Sequence, residues 1–170
     1  MNAEIILCVD DDRTVLNALR DLLSRAMGKS VLIEVVCCGT EALEFQQEVQ
    51  SDGQEIALVI SDYIMPRMNG DELLVQLHKL SPRTVKVMLT GQSDMAGVKR
   101  AINEAALYRF LEKPFNNADL VLTARSALDA YAQTLAMQAQ RQELQQIKAR
   151  LQSVLTEYGE RLAEPPIDAQ

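Results

Sequence analysis

The sequence predicts an α/β domain, a five-stranded parallel doubly wound (flavodoxin-like) sheet of order 2-1-3-4-5, continued by a long C-terminal helix. Three observations predict it. Five short apolar runs alternate with five amphipathic segments, the pattern of strands buried on both faces and the helices that cover them. The connections are short, so right-handed crossovers leave few topologies, and the order with one reversal is the natural one. After the last strand, helical character runs from about Asn117 to about Ala163 with neither Gly nor Pro before Gly159.

The elements follow in order. "EIILCVD" is a short apolar run, read as a buried strand. "RTVLNALRDLLSRAM" places Val15, Leu16, Leu19, Leu22, Leu23 and Met27 on one helical face, with Gly28 as its stop and Asp12 as its N-cap. "SVLIEVVCC" reads as strand; Cys8, Cys37 and Cys38 all lie inside strand-like runs, and an odd count with no metal-ligand spacing reads as buried free thiols. "GTEALEFQQEVQ" is a helix with a polar outer face, "EIALVIS" a third strand, and "NGDELLVQLHKL" a helix entered through a sharp Asn-Gly turn. "TVKVMLT" is strand, "SDMAGVKRAINEA" a helix that Ser93 caps, and "LYRFLE" the fifth strand. The final helix is Gln-rich, with seven glutamines among residues 133–152. Its apolar residues fall in two phases. Leu128, Tyr131 and Leu135 form the first; Leu144, Ile147, Leu151, Val154 and Tyr158 follow at alternating three- and four-residue steps, a short a/d seam. The slip between them excludes one uninterrupted coiled coil.

In doubly wound sheets, ligands sit at the carboxyl ends of the strands where the order reverses. Strand one ends in Asp10, Asp11 and Asp12, strand three in Asp62, strand four in Thr90-Gly91, and strand five in Lys113-Pro114. Strands 1, 3, 4 and 5 are neighbours in the predicted order, so these groups converge. Crowded carboxylates invite an oxygen-seeking divalent cation, and Mg²⁺ suits a site offering one or two of them (Mn²⁺ is compatible). A lysine and a hydroxyl beside the cation would bracket an anionic tetrahedral group, toward which a carboxylate acts as nucleophile.

"VDDD", "SDYIMPRMNG", "MLTG" and "RFLEKPF", in that order, resemble the response-regulator receiver domain of two-component signalling, over roughly residues 3–125. The resemblance implies that Asp62 is the phosphoacceptor, charged by a sensor histidine kinase or a phosphotransfer protein. It implies an acidic pair of Asp10 and Asp11, with Asp11 a direct Mg²⁺ ligand and Ile64 offering its backbone carbonyl. Thr90 and Lys113 would hold the phosphoryl group, Thr90 and Phe110 would form the switch, and the Lys113-Pro114 bond would be cis. Ile64 stands where many relatives carry a polar residue, and both it and Gln92 border the path of an attacking water. Phe110 lacks the hydroxyl of the Tyr often found at its position.

Domain boundaries follow: a receiver at 1–125, a helical linker at 126–163 and a disordered tail at 164–170. The expected function is a phosphorylation switch that assists its own phosphorylation and dephosphorylation, not an enzyme with a separate substrate. It would act through the strand 4–5 surface and the long helix, the latter pairing two chains as a homodimer. The net charge of -7, with 12 Lys/Arg against 18 Asp/Glu in residues 1–120, argues against direct nucleic-acid binding. No run is long and apolar enough for a membrane span and the first residues lack a basic start, so a cytoplasmic location is expected. Two other readings compete. A haloacid-dehalogenase-like phosphatase would use Asp10 as nucleophile, but the acids after Lys113, Asp119 and Asp129, fall on a helix and Asp62 is left unexplained. A pseudo-receiver scaffold would lack one of the acidic pair, the acceptor or the lysine, and all are present. His78, the only histidine, reads as a surface or packing residue.

Overall fold

The computed structural model describes residues 4–91 and 94–163. Ten elements alternate: β1 (Glu4–Val9), α1 (Arg13–Met27), β2 (Val31–Val36), α2 (Gly39–Ser51), β3 (Ile56–Asp62), α3 (Gly70–Leu80), β4 (Val85–Thr90), α4 (Met95–Ala105), β5 (Arg109–Glu112) and α5 (Asn117–Ala163). All strand pairs are parallel, and the sheet order is β2-β1-β3-β4-β5, as the sequence predicts. Every residue of β3 is buried, because a central parallel strand has helices over both faces. One layer of core joins Ile5, Leu7 and Val9 of β1 and Met88 of β4 to Leu73, Leu74 and Leu77 of α3 and Val98 and Ala101 of α4. Ile6 and Cys8 alternate to the opposite face of β1. On α1, Leu16, Leu19 and Leu23 are buried, and on α5, Leu120, Ala124 and Ala127. Arg125 of α5 donates to the Ala26 carbonyl at the end of α1.

Two compact units divide the chain, residues 1–132 and residues 133–170. In the second, Leu144, Ile147, Leu151, Val154 and Tyr158 are all exposed.

Three expectations need revision. Cys37 and Cys38 are not strand residues: β2 stops at Val36, Cys38 is the N-cap of α2, and both thiols are half-buried. The strand ends there because the Cys37 amide turns to the Glu41 carboxylate, 3.0 Å away, a bond no neighbouring strand can share. The Asn-Gly pair makes no separate turn, since Asn69 is the N-cap of α3 and Gly70 its first residue. The residue preceding α4 is Asp94; Ser93 and Gln92 lie outside the described residues. Gly28, with φ 76°, and Asp12, which accepts from the Thr14 amide, bound α1 as expected.

Candidate functional site

Register brings the strand-end residues level. Val9 is paired with Ser61, Asp62 with Leu89, and Thr90 with Glu112, so Asp10, Asp62, Thr90 and Lys113 follow one another across the carboxyl edge. Backbone bonds hold that edge. The Tyr63 amide donates to the Leu89 carbonyl (2.8 Å), the Lys113 amide to the Thr90 carbonyl (2.8 Å), and the Gly70 amide to the Tyr63 carbonyl (2.7 Å). Gly70 is obligatory for a steric reason, because a Cβ there would run into the Asp62 carbonyl oxygen.

Asp10 and Asp62 are buried, at 2% and 8% exposure, while Asp11 faces solvent. Carboxylate oxygens of all three lie within 4.8 Å of one another, an arrangement able to hold a cation. Lys113 Nζ meets Asp62 Oδ1 at 2.7 Å and Asp10 Oδ2 at 3.5 Å, so one ammonium bridges the two buried acids. Asp10 Oδ1 accepts the Asp12 amide at 2.8 Å. Burial pushes the Asp62 carboxyl above the usual carboxylate range, and Lys113 pulls it back only in part. Burial works against a charged Lys113, but the hydrogen bond and charge of Asp62, with Asp10, outweigh it and raise its pKa.

Thr90 is buried and its hydroxyl is engaged locally, with Gly91 O at 2.8 Å and Asp94 Oδ2 at 3.4 Å. The same Asp94 oxygen accepts the Gly91 amide at 2.9 Å. Sequence reasoning missed Asp94; an acid four residues past a strand-end Thr was the available signal. Phe110 is half-buried and packs on the core cluster, and Ile64 is 64% exposed. The Lys113-Pro114 peptide is cis. His78 was expected at the surface or in packing; it pairs with Lys86, and that partnership went unforeseen.

Two carboxylates and a lysine stand where a flavodoxin-like nucleotide carrier needs a neutral phosphate cradle. The fold and this edge together define a CheY-like receiver. The chain belongs to the response regulator receiver domain family, whose model its residues 6–125 match. Over 128 residues it is 31% identical to the sensor kinase CckA of Brucella abortus, an alignment covering 75% of this chain and 13% of that protein. The response regulator protein TodT of Pseudomonas putida is 32% identical, covering 74% of this chain and 52% of its own length. The chain thus spans about half or less of these curated relatives. Among solved structures, the signal receiver domain of an HD domain-containing protein from Pseudomonas fluorescens Pf-5 superposes with a TM-score of 0.70 at 32% identity, covering 80% and 94% of the two chains. A structure described as adenylate cyclase from Rhodopirellula baltica gives 0.72 at 28%, covering 82% and 98%. No helix among the described residues is long and apolar enough to cross a membrane.

Proposed function

We propose that this chain is a phosphorylation switch in which Asp62 accepts a phosphoryl group from the phosphohistidine of a sensor kinase or phosphotransfer protein. An Asp62 oxygen attacks phosphorus, the P–N bond breaks, and the departing imidazole keeps the electron pair and takes up a proton. Asp10, Asp11, Asp62 and the Ile64 backbone carbonyl would hold Mg²⁺ or Mn²⁺, which supplies positive charge against the transferring phosphoryl oxygens. Lys113 offsets the same charge, and Thr90 donates a hydrogen bond once its hydroxyl leaves Gly91 and Asp94. That departure loosens the β4–α4 connection, and Phe110 repacks beside it. Residues 1–125 form the phosphoacceptor part and 126–163 the helical conductor; the expected tail at 164–170 lies outside the described residues. Through that helix the switch controls an output domain or a partner protein.

The observation that carries this reading is the convergence of the Asp10, Asp11 and Asp62 oxygens within 4.8 Å, with Lys113 bonded to Asp62. Intact and peptide mass after treatment with acetyl phosphate and Mg²⁺ tests it. One phosphoryl group is expected on Asp62 of the wild type, none on Asp62→Asn, and a reduced amount on Asp10→Asn. A label on Asp10 would instead mean phosphatase-like chemistry, and no label a scaffold. Ile64, apolar and exposed beside the acceptor, gives an attacking water no hydrogen-bonding partner in its side chain. Ile64→Asn is therefore expected to shorten the phosphoryl lifetime, and an unchanged lifetime would reject that role.

A further inference from the structure

The second half of α5 presents Leu144 (65% exposed), Ile147 (49%), Leu151 (59%), Val154 (42%) and Tyr158 (62%) along one helical stripe. Large apolar side chains repeated at three- and four-residue steps are the a and d positions of a coiled-coil seam, and Met137 extends it one heptad upstream at an a position. Polar residues, among them Gln145, Gln146, Gln152, Ser153 and Thr156, fill the outer b, c and f positions. Such a stripe is covered by another helix of matching period, and the flanking charges select which helix and in which direction.

We propose that the stripe is covered by the same helix of a second copy of this chain, parallel and in register. With Leu144 at a, the flanking g positions are Glu143, Arg150 and Glu157, and the e positions are Lys148 and Leu155. In a parallel pair, each g residue meets the partner's e residue five places on. Glu143 then faces Lys148 twice by symmetry, Arg150 lays its aliphatic stem over Leu155, and no like charges meet. In the antiparallel pair, g meets g and e meets e. With the seams aligned, Glu143 would face Glu157, Arg150 another Arg150, and Lys148 another Lys148. Every charged contact there is repulsive. A four-stranded bundle would draw the e and g positions out of water, and charged Glu143, Lys148 and Arg150 oppose that. Two strands leave them at the solvated edge.

The seam is independent of the Asp62 chemistry and is tested apart from it. In a Cys37→Ser/Cys38→Ser background, Leu144→Cys is expected to form an interchain disulfide under mild oxidation. Parallel in-register pairing places the two residue-144 side chains together, whereas an antiparallel pair holds them several turns apart. Light scattering of the full chain is expected to give twice its 18.9 kDa mass, and Leu151→Asp to return it to one. Lys148→Glu is expected to weaken pairing by about tenfold, two attractive contacts becoming repulsive, and Glu143→Lys/Lys148→Glu to restore it. A monomeric wild type, a four-chain mass, or a dimer that resists the residue-144 crosslink would each overturn the proposal.

Discussion

Lys86 is 1% exposed within β4, and its ammonium is held by the Thr84 carbonyl (2.6 Å), His78 Nδ1 (3.0 Å) and the Pro82 carbonyl (3.4 Å). Among the described residues, none of its partners is a carboxylate, and burial lowers its pKa to about 8. The unfolded chain therefore holds more protons than the folded one between about pH 8 and 10.5, and stability rises with pH across that window. Below it the cost of the buried charge is fully present. Lys86→Met is expected to stabilise the protein at pH 7 by on the order of 1–3 kcal/mol and to lose that advantage as pH passes the window. Urea unfolding at pH 7 and at alkaline pH measures both arms. Gly70→Ala should go against helix propensity. Propensity alone favours Ala by about 1 kcal/mol, but the added methyl must displace the Asp62 carbonyl, so a net loss of about 1–3 kcal/mol is expected, with reduced labelling at Asp62. A more stable variant would mean that the loop gives way freely. At this scale the sequence was legible wherever strand-end position alone fixed where a side chain stands, as for Asp10, Asp62 and Lys113, which meet at the carboxyl edge. It was silent on Lys86, since a lysine in an apolar run reads as a surface residue with its head in water. It misled at Cys37 and Cys38, whose apolar character continues the strand pattern past its hydrogen bonds.

At the level of elements, α5 begins as part of the sheet's covering. Leu120, Ala124 and Ala127 are fully buried, and Tyr131 donates from its hydroxyl to Glu55 Oε2 at 3.0 Å, a carboxylate that also pairs with Arg83. Burial, reinforced by the Glu55 bond, pushes the Tyr131 phenol up to about 12. One side chain thus ties the helix to the start of β3 and, through Glu55, to the turn before β4. Tyr131→Phe should keep the packing and lose only the bond, at a cost of about 1 kcal/mol. Leu120→Ala, which opens a cavity, should cost about 2–5 kcal/mol. If thermal unfolding ranks the two variants the other way, the hydrogen bond and not the packing holds α5 in place. Periodicity made the helices readable, from the α1 face to the full extent of α5. It could not pair Tyr131 with Glu55, because nothing local links positions 76 residues apart. The packing of α5 on the sheet supplied that link.

For the whole molecule, the compact unit ending at Ala132 includes every residue of the acidic edge. A chain cut after Ala132 is expected to keep its labelling at Asp62 and to run as a monomer; loss of labelling would show that the seam is needed for the chemistry. The sheet order itself was legible because parallel strands, short crossovers and one reversal leave little choice. The direction in which two copies would pair is not visible from apolar spacing alone, and turns on the charges flanking the seam.

The acidic edge has one more consequence. Three carboxylates crowd together, and only the two buried ones, at the ends of the neighbouring inner strands β1 and β3, meet the Lys113 ammonium. In chelator, repulsion among these three acids would oppose folding at the carboxyl edge of the sheet. Neutralising one acid should relax it. Asp11→Asn is expected to melt higher than the wild type in chelator and lower than it in millimolar Mg²⁺, because the wild type alone gains the full linkage from a bound cation. An inversion of that kind would make the melting temperature a direct gauge of occupancy. Such a domain would report what arrives at its edge by how firmly it holds together.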